Sequence, residues 1–174
     1  MADLRRYIRE IPDFPRPGIG FKDVSPLLAD AGALDAAVAG LAEQIAGRQV
    51  DMVVGAEARG FLLGPALARE LRAGFILARK PGKLPHTTVS ASYELEYGTD
   101  TLEVHSDALT GGARVVVHDD LLATGGTAAA VCELVEQLGG QVVACVFLVE
   151  LAFLEGRARL GARDVRSLVV YETE

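Results

Sequence analysis

Apolar residues recur along this chain with two distinct periods. Leu34, Val38, Leu41 and Ile45 stand at i, i+4, i+7 and i+11, a spacing that predicts an amphipathic helix over residues 34–45. Leu63, Leu67 and Leu71 predict a second helix over 59–72. Val131, Leu134, Val135 and Leu138 predict a third over 127–138, ended by Gly139 and Gly140. Between them lie short apolar runs at 51–55, 74–78, 114–118, 142–149 and 168–171, which read as buried strands. Residues 89–97 and 101–105 alternate well enough to form two strands around a turn at 98–100. Residues 14–26 hold Pro15, Pro17, Pro26, Gly18 and Gly20 and are expected to be neither helix nor strand. Strands alternating with helices imply an α/β fold with a mostly parallel central sheet flanked by helices. In such sheets ligands bind beyond the carboxyl ends of the strands. Chemistry is therefore expected in the loops after residues 55, 78, 118 and 149.

Composition narrows the class. The chain has 174 residues, enough for one domain over 1–174, and neither a repeat nor an interdomain linker is visible. Half of it is hydrophobic and 24% charged, the balance of a globular rather than a disordered chain. A formal charge of -7 argues against nucleic acid as a partner, because that role usually needs a basic face. No run approaches the roughly 20 apolar residues of a membrane span. The first residues lack the apolar core of a signal peptide, so no membrane association and a cytoplasmic location are expected. Cys132 and Cys145 sit in apolar runs and read as buried free thiols. His and Cys share no ligand spacing, so no protein-held metal is expected. Of 17 basic residues only Lys22, Lys80 and Lys83 are lysine.

The most informative stretch is VVVHDDLLATGGT at 115–127. An apolar run ends in Asp119 and Asp120, and a small-residue loop then opens a helix. Gly125 and Gly126 let the backbone approach a ligand, and free N–H groups at a helix start suit a phosphate. Carboxylates cannot be phosphate ligands, but they suit vicinal sugar hydroxyls or a cation bridging to them. Together they describe a sugar-phosphate site. The structural alternative is a tight strand-to-helix turn with an N-capping Thr and two solvated Asp.

This segment resembles the phosphoribosyl pyrophosphate signature of the type I phosphoribosyltransferases: four apolar residues, two acids, two apolar residues, a small residue and Thr-Gly-Gly-Thr. His118 departs from the usual apolar residue. Four further segments look like the adenine-specific branch of that family: FPRPGIGFKDVSP at 14–26, GAEARGF at 55–61, RKPGKLP at 79–85 and ASYELEYG at 91–98. The resemblance runs in register from about residue 4 to 172.

The resemblance implies a type I phosphoribosyltransferase fold with an N-terminal arm and base-covering hood at 1–32 and a flexible lid hairpin at 79–105. It assigns the ribose hydroxyls to Asp119 and Asp120. The 5-phosphate falls to Ala123, Thr124, Gly125, Gly126 and Thr127. Pyrophosphate falls to Glu57, Ala58, Arg59, Arg79, Lys80 and Lys83, with a cis peptide joining Glu57 to Ala58 and Arg59 reaching pyrophosphate or base. By the residues alone, an ordinary helix start with solvated Glu57 and Arg59 is an equal reading. The hood places Gly20, Phe21 and Lys22 at the adenine, with Leu151 on its other face; the side-chain role of Lys22 stays open, since many relatives have Arg there. Glu96 matches the family's acid/base residue and joins Arg59 as a catalytic candidate. The implied reaction moves phosphoribosyl from phosphoribosyl pyrophosphate to N9 of adenine, with Mg²⁺ held mainly by the substrate, Asp119 and Asp120 nearby, in a homodimer. The same chemistry on xanthine or hypoxanthine, or a phosphoribosyl-pyrophosphate-sensing regulator without activity, are the alternatives.

Overall fold

A computed structural model describes residues 3–94 and 99–173. Strands β3 (Met52–Ala56), β4 (Gly74–Ala78), β7 (Arg114–Leu122), β8 (Gln141–Leu151) and β9 (Val165–Tyr171) form one parallel sheet in the order β4-β3-β7-β8-β9. Helices α2 (Ala31–Glu43), α3 (Gly60–Glu70) and α4 (Gly126–Gln137) flank it, with short α1 (Ser25–Ala29) and α5 (Gly156–Leu160). Two antiparallel pairs stand apart from the main sheet: β1 (Arg9–Ile11) with β2 (Phe21–Asp23), and β5 (Thr88–Glu94) with β6 (Thr99–His105).

The two-residue period of a strand divides the core in two. Val115, Val117, Cys145 and Phe147 face α4, where Val131, Cys132, Leu134 and Val135 meet them, together with Leu102 and Val104 of β6. Val53, Val116, Val146 and Leu148 point the other way, toward Ala37 and Leu41 of α2 and Leu63 and Leu67 of α3. Asp30 caps α2 by accepting a hydrogen bond from the Ala33 N–H at 2.8 Å. Helix α3 lies against the sheet through missing side chains. A Cβ on Gly64 would come within 2.5 Å of the Phe75 ring, and one on Gly55 within 2.7 Å of the Gly60 carbonyl. This close approach brings the turn at 57–59 up against the carboxyl edge of the sheet.

Three expectations need correction. Residues 14–26 are not wholly irregular. Phe21–Asp23 pairs with Arg9–Ile11 as β2, and Pro26 sits in the first turn of α1, where its missing N–H costs nothing. Thr99 and Asp100 lie in β6 opposite Glu94 and Tyr93, not in a turn. Strand β7 does not stop at His118. It continues through both acids, because β8 is long enough to pair beside it, Asp119 opposite Phe147 and Leu121 opposite Val149.

Candidate active site

The acid pair sits near the carboxyl end of β7, still within the paired strand. Asp119 is half-buried and Asp120 is 1% exposed. Asp119 accepts the Asp120 N–H at 2.9 Å. Neither oxygen of Asp120 has a hydrogen-bond partner; its nearest cation is Arg59, with Nε 3.3 Å from Oδ2. Burial, and for Asp119 the neighbouring charge of Asp120, push both carboxyls above the ordinary carboxylate range, while Arg59 works against the shift.

The loop that follows is built for an anion. Gly125 has φ +81°, and a Cβ there would lie 2.3 Å from the Gly156 carbonyl, so only glycine fits. No side chain caps α4, which sets aside the N-capping Thr alternative and leaves the first N–H groups of the helix for a ligand. Arg59, Asp119 and residues 121–128 line a cavity of about 110 Å³. Ala123, Thr124, Gly125, Gly126 and Thr127 all stand in its wall.

The basic loop is organised from below by an acid. Glu57 Oε2 accepts hydrogen bonds from Arg79 Nε at 3.0 Å and from the Lys80 N–H at 2.9 Å. Burial alone would raise the Glu57 pKa, but the Lys80 N–H and the charges of Arg79 and Lys83 outweigh it and hold the group below its usual range. Glu57, assigned to pyrophosphate by resemblance, therefore directs its carboxylate at the loop that carries the cations. The peptide between Glu57 and Ala58 is cis, as the resemblance implies. Arg79 is further tied to β6 by paired backbone bonds with Glu103. Lys80 Nζ lies 2.7 Å from Asp100 Oδ2, which also accepts the Tyr93 hydroxyl at 3.3 Å. Asp100 raises the Lys80 pKa, so the ammonium is charged at neutral pH.

The hood meets this centre through Arg59. Its guanidinium carbon stands 5.3 Å from the Phe21 ring centroid, on the same side chain that reaches Asp120. Phe14 packs edge-on to Phe21 at 5.1 Å. Gly20 immediately precedes β2, and Leu151, 7% exposed, ends β8. Lys22 points away from Phe21 and is buried elsewhere. Arg59, Asp119, Asp120, residues 123–127 and Phe21 thus converge, whereas Arg79 and Lys80 are held by Glu57 and, with Lys83, lie outside the cavity wall. Glu96 lies outside the described residues. Phe14, Tyr93 and Asp100 are neighbours of the site that the sequence did not mark; an aromatic in a Pro-rich arm was the only signal for Phe14.

Known proteins place this geometry. The family model "Phosphoribosyl transferase domain" matches residues 28–170. An adenine phosphoribosyltransferase of Rubrobacter xylanophilus is 59% identical over 169 residues, covering 97% of this chain and 91% of the relative. Among solved structures, that of adenine phosphoribosyltransferase from Thermoanaerobacter pseudethanolicus superposes with a TM-score of 0.95 at 53% identity, covering 97% of this chain and 98% of that one. The Saccharomyces cerevisiae adenine phosphoribosyltransferase, solved with an imino-altritol bisphosphate and adenine, gives 0.88 at 41% identity, with 94% of each chain covered. With the family model spanning most of its length and relatives above half identity over nearly all of it, the chain belongs to the type I phosphoribosyltransferase family, in its adenine phosphoribosyltransferase branch.

Proposed function

We propose the following division of labour for the reaction of this purine-salvage transferase, in which phosphoribosyl pyrophosphate and adenine give AMP and pyrophosphate. The ribose C1–oxygen bond breaks, and pyrophosphate leaves with the electron pair. The N9 lone pair of adenine closes on C1, and the N9 proton is lost. Positive charge develops on the ribose ring and negative charge on the leaving group, as in glycosyl transfer generally. The chain's task is placement and charge stabilisation.

The 5-phosphate sits on the N–H groups of residues 123–127 and the ribose hydroxyls donate to Asp119 and Asp120. Arg59 leaves Asp120 for the pyrophosphate, joined by Arg79, Lys80 and Lys83 from the loop that Glu57 shapes. Adenine lies between Phe21 and Leu151, with main chain near Gly20 on its polar edge, and Glu96 takes the purine proton. The observation that carries this reading is Asp120, buried with no hydrogen-bond partner and met only by the Arg59 charge, beside an uncapped glycine loop. Buried carboxylates without hydrogen bonds are costly, and a ligand that donates hydroxyl protons relieves that cost.

Mg²⁺ fits as an ion held mainly by substrate. Among the described residues no group of three or more His, Cys, Asp or Glu is placed to hold a metal, yet Asp119 and Asp120 lie together, where this reading puts the ribose hydroxyls. Bound there, the ion would neutralise charge on the pyrophosphate. The protein acts as a homodimer, for which the exposed Leu62 and Leu77 on α3 and the edge strand β4 supply apolar surface. It works in the cytoplasm; none of its described helices is long and apolar enough to cross a membrane.

Incubation with Mg²⁺, phosphoribosyl pyrophosphate and each purine in turn tests the reading, with AMP formed from adenine as the expected result. Nucleotide from another purine in preference would transfer the assignment to that base, and none from any base would leave a sensor. Glu96→Gln is expected to lower kcat by about 10²–10⁴, the usual share of one acid/base group, and an unchanged kcat removes Glu96 from the mechanism.

A further inference from the structure

Lysine is rarely buried, yet Lys22 is 3% exposed. Its ammonium stands 3.0 Å from Glu10 Oε1 and 4.6 Å from the centre of the Tyr171 ring. Glu10 is its direct partner across β1–β2, so that contact is internal to the hairpin. Tyr171 is not: it ends β9, the edge strand of the main sheet. Arg5 approaches the same ring to 4.5 Å and donates a hydrogen bond to the neighbouring Val170 carbonyl. The N-terminal arm therefore grips the end of β9 from two positions.

The hairpin needs such a grip. Three register pairs hold β1 to β2, and the pair is separate from the five-stranded sheet. A two-stranded hairpin is marginal alone. Successive side chains of a strand point to opposite faces, so fixing Lys22 on the body side fixes the direction of Phe21 on the other. Phe21 is the residue whose ring faces Arg59.

We infer that Lys22 is a positioning residue: its ammonium, seated on Tyr171, sets the pitch of β2 and thereby aims Phe21 at the purine. This rests on the reading that Phe21 stacks on adenine. The role is geometric, carried by a cation on an aromatic face in a desolvated place, where such contacts are strongest.

Steady-state kinetics of the full-length protein separate the possibilities. Lys22→Met keeps the stem and removes the charge. It is expected to raise KM for adenine about tenfold, with kcat and KM for phosphoribosyl pyrophosphate within about twofold. Lys22→Arg restores the charge and the KM. Tyr171→Leu reproduces the Lys22→Met defect, Tyr171→Phe does not, and the Lys22→Met, Tyr171→Leu double variant is no worse than either single. Should Lys22→Met fail to fold, the Tyr171→Leu and Tyr171→Phe pair carries the same comparison. Phe21→Ala serves as the control for stacking. An adenine KM unchanged in Lys22→Met while Phe21→Ala raises it overturns the tether and leaves stacking standing, as do Lys22 and Tyr171 defects that multiply. A silent Phe21→Ala overturns the stacking reading, and the tether with it.

Discussion

Two buried carboxylates stand at the ends of adjacent strands, and they are treated in opposite ways. Glu150 on β8 is 3% exposed and fully partnered: Arg157 donates to both oxygens at 2.6 and 2.7 Å, and the Ser167 hydroxyl adds a bond at 2.6 Å. Burial would raise its pKa, but Arg157 and Ser167 outweigh that and hold it below the ordinary range. Asp120 on β7 is as deeply buried, has no hydrogen-bond partner for its oxygens, and is pushed up. Burial is the same; the difference lies in what meets the charge. A buried acid that the fold satisfies is structure. One whose hydrogen bonds the fold leaves unmade is a candidate acceptor for the ribose hydroxyl proposed above.

The largest expected effect follows from the open pair. Asp119→Asn with Asp120→Asn is expected to lower kcat/KM by more than about 10⁴, losing charge and acceptor capacity at the ribose together. Stability should move the other way. Acids whose folded pKa lies above the unfolded value destabilise the fold when ionised, so the neutral amides should melt at or above the wild-type temperature at pH 7.5. Assay and thermal melt of the same sample decide it. A variant that is both active and less stable would make the pair an ordinary structural feature like Glu150.

The closed acid predicts the reverse pattern. Arg157→Met strands the Glu150 carboxylate with Ser167 alone, and should cost about 2–4 kcal/mol in urea unfolding. The lower end applies if water enters, since the Arg157 side chain is 51% exposed. Turnover per folded molecule should stay within about twofold. A large loss of kcat without loss of stability would erase the contrast between the two acids.

The sheet and the acid pair were legible because their signals are local. Continuous apolar runs mark buried parallel strands, and an acid pair followed by Gly-Gly is compact in sequence. The hood strand was not legible: Phe21–Asp23 shows no alternation, and its partner Arg9–Ile11 is reached across a Pro-rich arm. The extension of β7 through Asp119 and Asp120 was hidden because charged residues read as a strand end, while the pairing is dictated by the neighbouring β8. Lys22 and Glu57 were assigned to base and pyrophosphate by resemblance alone, with the side-chain role of Lys22 open. Their side-chain partners, Tyr171 at the far end of the chain and Arg79 in the next loop, become visible only in three dimensions.

A third ionisable group beside the pair resolves burial differently again, and supplies the smallest effect. His118 is 1% exposed; its Nδ1–H donates to the Val146 carbonyl at 3.0 Å, which fixes the tautomer and leaves Nε2 bare, with no partner. Burial lowers its pKa from 6.5 to about 4, with the Val146 bond opposing the shift. The imidazole is therefore neutral in the core at pH 7, in a position where the family signature carries an apolar residue. A group whose folded pKa is depressed contributes stability that is complete above the unfolded pKa and lost as pH falls. The window here runs from about 6.5 down to about 4, and the loss is on the order of 3 kcal/mol. His118→Leu removes the proton site and keeps the apolar bulk. Its unfolding free energy, subtracted from that of the wild type at each pH, should be level above pH 6.5 and fall progressively toward pH 4. A level difference across the whole range would mean that His118 titrates in the fold as it does in the unfolded chain, and so that Nε2 has found a partner that offsets burial. The strand before the acids would then belong with the open site rather than with the closed core.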